Sequence, residues 1–315
     1  MKKLLLPILI GTLLSSGAAA ETLDFSKIEH WSGSGPNKAA FVLSITPDKD
    51  QKNPGTLVWG YRWEAGEEPT GFDMLKAVAA GSSDFIALVQ YTGEMGYTFD
   101  GGGFAKDIND LAEHLRFDFD GASGDGSIAF GYFSPNTGMN QTSAPGSEAI
   151  ALAAEAIDNA KSTHLIIHPL DAATYGYPAY DYDWWKLDRT ACKDPAHSYW
   201  NAGWYNGYWS YWVGDTDIES LGYSGLGMSS VTLLDGDVHG WKYNDFGGAS
   251  SDEWGPLNYR HEVAATVGIA DVRAESEEDR EEWYRLDGTA LDGRPEIPGI
   301  YILRKGATHS KILVR

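Results

Sequence analysis

The chain has 315 residues, of which 43% are hydrophobic and 22% charged, as expected for a folded protein of one large or two modest domains. Its formal net charge of −21 argues against nucleic acids and anionic membranes as partners, because both are bound through basic surfaces. A lone cysteine, Cys192, cannot form an internal disulfide, so the fold must depend on its buried core.

Residues 1–20 have the pattern of a secretory signal peptide. Lys2 and Lys3 precede the apolar run Leu4–Leu14, and small residues lead to a cleavage site after Ala20. The apolar run is too short to span a bilayer. We therefore predict an exported protein without a transmembrane segment.

The next part of the chain predicts an α+β roll. Phe41–Ile45 and Leu57–Trp63 are rich in β-branched and aromatic residues and predict two strands of a hairpin. Thr70 is placed to cap a helix over Met74–Ala80, and Phe85–Tyr91 predicts a third strand. Strands followed by one helix, a strand and a later hairpin are typical of this fold class.

Residues 104–199 interrupt the roll as a long α/β insertion. Before it, the glycines of Tyr97–Gly103 predict a turn. Within it, Gly146–Ser162 predicts an alanine-rich amphipathic helix, and Thr163–Ile167 predicts a strand. Insertions on a rigid scaffold often determine recognition, but this one contains no diagnostic motif.

After the insertion, the chain is unusually rich in aromatic residues. The segment 207–213 predicts a strand, and its neighbouring rings point to opposite faces. One face therefore fills the core, while the other is covered by another element or lines a ligand site. The register decides which face is exposed. A second hairpin is predicted from 229–234 and Val238–Tyr243, joined by an Asp235-Gly236 turn.

Two parts of the chain resemble the transcobalamin-like C-terminal domain family. Thr70–Ala77 is similar to its helix, Gly93–Asp107 loosely to its turn, and Tyr208–Val213 and Leu234–Tyr243 to its last strands. The resemblance covers roughly a third of the chain and implies a β-grasp-like roll that captures a corrinoid such as cobalamin. The long insertion and the lack of a helical barrel partner depart from the family.

The beginning of the exported chain resembles a second group of proteins. Trp31–Asn37, Trp59–Trp63 and Thr70–Leu75 are similar to a group of secreted bacterial proteins, some of which accompany surface cobalamin uptake. A surface protein that binds cobalamin as a ligand is expected to pass it to an outer-membrane transporter, and we predict no required cofactor.

The end of the chain resembles a type IX C-terminal sorting segment of Bacteroidetes. The similar residues are Tyr284–Gly288, Pro298–Leu303 and Lys311–Arg315, and the alternative is a terminal hairpin of the main domain. The resemblance implies that the protein reaches the surface or surroundings of a Gram-negative cell. We predict a signal peptide (1–20), a ligand-binding domain (21–246), a linker (247–282) and the sorting segment (283–315), which is a small β unit.

Ligand capture without turnover is the predicted function. The predicted binding residues are aromatic residues of the two hairpin regions and two histidines that could approach a cobalt centre: Trp59, Tyr61, Trp63, Trp204, Tyr205, Tyr208, Trp209, Tyr211, Trp212, His197 and His239. A surface carbohydrate-binding module is the alternative, since sugar C–H faces stack on the same rings.

A secreted hydrolase is the second alternative, with Asp181 and Asp183 as its carboxylate pair. No nucleophile elbow is present, and Cys192 has no local catalytic signature. His164 and His168 have a zinc-binding spacing only if they lie on a helix, and their segment predicts a strand. We therefore predict no catalytic residue and no metal site.

Overall fold

The computed structural model describes residues 22–92, 96–118, 131–134, 138–141, 147–169, 179–180, 184–204, 206–247, 254–263, 281–284, 290–291, 295, 299–305 and 308–314. The chain divides into two compact units, Met1–Val263 and Ala264–Arg315. The predicted signal peptide lies outside the described residues.

The first unit contains three α-helices among its described residues: α1 (Gly71–Gly81), α2 (Ile108–Glu113) and α3 (Ser147–Thr163). Its strands are β1 (Trp31–Gly33), β2 (Asn37–Ser44), β3 (Thr56–Trp63), β4 (Phe85–Tyr91), β5 (Tyr97–Ala105), β6 (Leu115–Phe117), β7 (Gly131–Ser134), β8 (Gly138–Gln141), β9 (Leu165–Ile167), β10 (Ala179–Tyr180), β11 (Trp185–Leu187), β12 (Ser198–Ala202), β13 (Gly207–Gly214), β14 (Gly222–Tyr223), β15 (Val238–Asp245) and β16 (Leu257–Asn258). Short 3₁₀ turns lie at Phe25–Lys27, Arg189–Ala191, Pro195–His197, Ile218–Ser220 and Met228–Ser230.

The main sheet has the order β1-β3-β2-β15-β13-β14, with β16 beside β3. The predicted β2–β3 hairpin is confirmed, with Phe41 opposite Trp59. The last long strand, β15, lies parallel to β2 and antiparallel to β13. The first and last long strands of this sheet, β2 and β15, are therefore neighbours and parallel, as in a β-grasp. The predicted α+β class is confirmed.

Helix α1 begins where the sequence supplies a capping box. The Thr70 side chain accepts a hydrogen bond from the Asp73 amide, and the Asp73 carboxylate accepts one from the Thr70 amide at 2.9 Å. This satisfies amide groups that the first helical turn leaves without partners. The helix therefore begins at Gly71, three residues before its predicted start, and buries Met74, Leu75 and Val78 in the core.

A second sheet, with the order β12-β5-β4-β9, packs across this core. The turn predicted over Tyr97–Gly103 is wrong, because these residues belong to strand β5. A Cβ on Gly102 would lie 2.7 Å from the Phe99 ring, and one on Gly103 would lie 2.8 Å from the Trp200 ring. The glycines therefore let aromatic rings lie directly on the strand.

The insertion predicted over 104–199 completes the second sheet. Strand β9 pairs with β4, and β12 pairs with β5. The second sheet therefore combines two strands that precede the insertion, β4 and β5, with two strands from residues 165–202. The predicted helix is confirmed as α3. On the outer face of this sheet, α2 and α3 bury Leu111, Ala153 and Ile157 in a cluster of their own.

The hairpin predicted from 229–234 is wrong, although its Asp235-Gly236 turn leads into β15 as expected. The chain before the turn crosses the start of α1, where the Gly71 amide donates to the Val231 carbonyl at 3.0 Å. The Leu233 amide donates to the Pro69 carbonyl at 2.8 Å. Strand β15 has no room for a further partner, because β2 and β13 occupy its two edges.

The linker predicted over 247–282 does not begin at residue 247. Strand β16 pairs with β3, and Trp254 is buried against the outer face of the main sheet. The first compact unit consequently extends to Val263.

The second unit contains β17 (Glu281–Tyr284), β18 (Ala290–Leu291), β19 (Gly299–Lys305) and β20 (Thr308–Val314). They form an antiparallel sheet in the order β18-β17-β19-β20, in which Trp283 is buried. The C-terminal segment thus contains a small β-sheet, and its sorting role stays a prediction.

Candidate functional site

A cleft lined by aromatic rings lies along the edge of the main sheet at β13. On one side β13 pairs with β15 along its whole length, but on the other β14 covers only Trp212 and Val213. A cavity of about 150 Å³ adjoins the remaining part of the strand. We call it the aromatic cleft, and its lining residues are Tyr97, Thr98, Phe99, Trp204, Tyr208, Trp209, Tyr211, Tyr223, Ser224, Gly225, Leu226, Gly227, Met228 and Trp241.

The backbone of β13 contributes polar groups to this edge. The Phe246 amide donates to the Asn206 carbonyl at 2.8 Å, so even-numbered residues of β13 bond with β15. The odd-numbered residues face the other way, and the Tyr211 carbonyl accepts a hydrogen bond from the Ser224 amide at 2.8 Å. By the same alternation, the N–H and C=O of Trp209 point toward the open edge.

The rim of the cleft exposes apolar surface. Trp204 and Tyr208 stack with ring centroids 6.0 Å apart, and Phe246 lies 5.8 Å beyond Tyr208. The exposed fractions of Tyr223, Leu226 and Phe246 are 59%, 58% and 63%. Single exposed apolar side chains are common, but apolar residues gathered around one concave site are typical of a binding surface.

The cleft is electrically neutral. No Asp, Glu, Lys, Arg or His is among the described residues that line it. Burial, together with the nearby Tyr223, raises the pKa of Tyr208, and burial followed by the charge of Asp237 raises the pKa of Tyr211. Both phenols therefore keep their protons at neutral pH. A cavity of this volume accommodates about one six-membered ring.

Behind the cleft wall, Tyr211 is fixed by a histidine of the core. The Tyr211 hydroxyl lies 2.6 Å from His239 Nδ1, and Asp237 lies 3.8 Å from His239 Nε2. The carboxylate favours a proton on Nε2, so that Nδ1 accepts the hydrogen bond from the tyrosine. His239 is only 1% exposed, so its imidazole is not accessible to the cobalt of a corrinoid, contrary to the prediction from the sequence.

The structure separates the predicted binding residues into two groups. Trp204, Tyr208, Trp209 and Tyr211 line the cleft together. Tyr205 lies outside the described residues. Trp212 points to the opposite face of the sheet, where its ring lies 6.5 Å from that of Trp254.

The predicted residues of the β2–β3 hairpin and His197 do not line the cleft. Trp59 and Trp63 are 1% and 3% exposed and belong to the core, and half-buried Tyr61 stacks on Trp63. The Trp59 indole donates a hydrogen bond to Ser82 Oγ at 3.2 Å. His197 bonds the Asp194 carboxylate at 2.8 Å.

Sequence reasoning missed several cleft residues. Tyr97 and Phe99 alternate with Thr98 along β5, a pattern that would have indicated a strand had the following glycines not favoured a turn. Tyr223 lies in the two-residue strand β14 and Leu226 in the turn after it, and so short a stretch has no periodic signal.

Two groups of side chains have a composition that suits a metal ion, and several of their ligand atoms already have hydrogen-bond partners. In the first, His261 bonds Asp84 through Nδ1 at 2.7 Å and the Val58 carbonyl through Nε2 at 2.8 Å, and His30 stacks on its ring. In the second, Asp110, near Glu113 and His114, accepts a hydrogen bond from the Lys193 amide and faces its ammonium group at 3.6 Å.

The remaining candidate catalytic groups are the Asp181–Asp183 pair and Cys192. Asp181 and Asp183 lie outside the described residues. Cys192 is buried, and burial raises the pKa of its thiol, which disfavours the reactive thiolate.

Comparison with known protein families, curated proteins and solved structures finds no match for this chain. Among the described residues, no helix has the length and apolar character needed to cross a membrane. The function must therefore be inferred from the cleft itself.

Proposed function

We propose that this protein is exported and captures a neutral carbohydrate in the aromatic cleft. The observation that carries the proposal is the cleft itself, a ring-sized cavity with aromatic walls whose described lining residues include no charged side chain. The C–H faces of a sugar stack on Trp and Tyr rings such as those of Trp204 and Tyr208. Its hydroxyl groups can pair with Ser224, Thr98 and the edge backbone of Trp209.

The rim favours a chain of sugars over a single one. The cavity accommodates one ring, and the exposed side chains of Tyr223, Leu226 and Phe246 continue the apolar surface outside it. A neighbouring ring of an oligosaccharide would contact this rim. The proposed role is binding without turnover.

Corrinoid capture is the second candidate. The β-grasp order of β2, β3, β13 and β15 supports it, because it matches the roll that the family resemblance implies. A complete corrinoid is much larger than the cavity, so only one edge of the macrocycle could enter. Buried His239 supplies no axial ligand. An outer-membrane transporter as a partner belongs to this candidate.

The test uses the exported chain, residues 21–315, on an array of neutral oligosaccharides, followed by calorimetry with the best binder. We expect Tyr208→Ala to weaken binding by about tenfold or more, because one stacking face is lost. Tyr61→Ala is the matched control, since Tyr61 is a half-buried ring outside the cleft.

Two results would redirect the assignment. Glycan binding that Tyr208→Ala leaves intact would place the site elsewhere. A saturable change in the visible spectrum of cyanocobalamin, without glycan binding, would favour the corrinoid candidate.

A further inference from the structure

Two buried backbone groups face the aromatic cleft without a partner among the described residues. Trp209 is only 6% exposed, and its main-chain N–H and C=O point to the open edge of β13, away from β15. On that edge the Ser224 amide bonds the Tyr211 carbonyl, and β14 pairs only with Trp212 and Val213. Because buried backbone groups are nearly always hydrogen-bonded, a molecule in the cleft is the expected partner of this pair.

The two aliphatic hydroxyl groups of the lining already donate hydrogen bonds within the protein. Thr98 Oγ1 donates to the Asp100 carboxylate at 2.9 Å, and Ser224 Oγ donates to the Leu226 carbonyl at 3.0 Å. Both oxygens can still accept a hydrogen bond from a ligand, but their protons are taken. The main chain of Trp209 differs, because it presents a donor and an acceptor side by side.

The spacing of this pair restricts what can bond both groups. In an extended strand the N–H and C=O of one residue lie on the same side, with N and O about 3 Å apart. Two hydroxyl groups on neighbouring ring carbons of a sugar have a similar spacing, and each hydroxyl can both accept and donate. A single secondary amide cannot bond both groups, because its own N–H and C=O point in opposite directions.

The side chains around Trp209 suit a sugar ring in this orientation. Tyr208 and Tyr211 both line the cleft, and as neighbours at even and odd positions they project from opposite faces of β13. A ring whose edge bonds the Trp209 main chain therefore has an aromatic side chain on each of its C–H faces.

We propose that the Trp209 main chain selects neutral glycans with 1,4 linkages, a specificity that rests on the function proposed above. A 1,4 linkage leaves the neighbouring hydroxyl groups at carbons 2 and 3 of each ring free to pair with Trp209. A 1,2 or 1,3 linkage uses one of these oxygens in every ring within the chain. A 1,6 linkage leaves both free, but its additional rotatable bond costs more entropy when a second ring is held on the rim.

Calorimetry on the exported chain with a 1,4-linked glucose tetramer and two methylated forms of it tests the proposal. Methylation of the hydroxyl groups at carbons 2 and 3 should weaken binding by about tenfold or more, since a methyl ether cannot donate to the Trp209 carbonyl. The tetramer methylated at carbon 6 is the matched control and should bind like the unmodified one. Tyr208→Ala should weaken binding of these last two ligands by the same factor, because it removes a stacking face that both use.

The amide resonance of Trp209 reports the contact directly. Saturation with the unmodified tetramer should shift this resonance and slow the exchange of its proton, because the N–H gains an acceptor. The amide of Ser210 is the internal control, since it faces β15 and already lies in the sheet. Its resonance should change much less.

Three results would overturn this specificity and leave carbohydrate capture standing: equal binding of the two methylated tetramers, an unchanged Trp209 amide in the complex, or neutral glycans that bind without preference for the 1,4 linkage. If no neutral oligosaccharide binds, the proposed function fails as well. A neutral extended peptide that shifts the Trp209 amide when no glycan does would assign the open edge to peptide binding instead.

Discussion

Strands β3 and β13 are both rich in aromatic residues, yet of the two only β13 lines the aromatic cleft. Trp59 of β3 is covered on all sides, because its strand has neighbours at both edges and the second sheet packs across its face. Residues 207–211 of β13 pair with a described strand on one side only. The difference indicates that a strand edge without a partner among the described strands, and not aromatic content, creates the candidate site.

The largest effect on stability is expected at Trp59, the buried ring of β3. Trp59→Ala should lower the free energy of unfolding by about 3–5 kcal/mol, because Trp59 packs against Phe41, Phe85 and His261. Denaturant unfolding measures the change. A loss of less than about 1 kcal/mol would show that this ring is not a core residue.

The buried pair of Asp84 and His261 should follow. Asp84→Asn should destabilise the fold by roughly 3 kcal/mol at neutral pH, because it removes the buried carboxylate that bonds His261 Nδ1 at 2.7 Å. The pKa of Asp84 is lowered in the folded state, so its stabilisation is complete above the free value of about 3.9. That stabilisation is lost as the pH falls further, through the pKa of the folded state.

Unfolding measured between about pH 6 and pH 2 checks the sign of this dependence. Relative to the wild type, the difference in stability caused by Asp84→Asn should shrink toward the acid end. A difference that stays constant over this range would contradict the assignment of Asp84 as a carboxylate in the folded protein.

The packing of rings on β5 predicts an intermediate effect. Gly102→Ala should cost about 1–3 kcal/mol, since its Cβ would lie 2.7 Å from the buried Phe99 ring. Gly225→Ala is the control, because nothing lies within 4 Å of its added Cβ. Thermal unfolding of the two variants should differ accordingly, and equal melting temperatures would rule out close packing as the reason for the glycine.

The fold was predictable where local signals and tertiary contacts agree. The aromatic and β-branched pattern predicts strands β2 and β3, which pair as a hairpin. Thr70 predicts the start of a helix and caps α1. Local signals failed at β5, where glycines accommodate rings from distant strands, and at 229–234, where the start of α1 takes the backbone groups. Such competition between distant segments is not encoded in a short window of sequence.

The site was predictable only in part for the same reason. The aromatic run identified Trp204, Tyr208, Trp209 and Tyr211, because β13 itself has a clear strand pattern. It could not show that β14 is only two residues long and leaves the strand edge open. Nor could it show that Trp59 and Trp63 turn inward, since that depends on the second sheet.

The smallest effect on stability is expected at Tyr208, at the open edge of β13. Tyr208→Ala should lower the free energy of unfolding by less than about 1 kcal/mol, because this half-buried ring lies at the rim of the cleft. Circular dichroism during denaturant unfolding measures this loss. A loss as large as that of Trp59→Ala would show that Tyr208 belongs to the core.

The most direct test of the cleft is a hydrogen-exchange footprint of the exported chain with the best-binding neutral oligosaccharide. Binding in the cleft should slow exchange in residues 207–211 and 222–228 and leave the β2–β3 hairpin unchanged. Protection confined to that hairpin, or the absence of any binding oligosaccharide, would contradict the account.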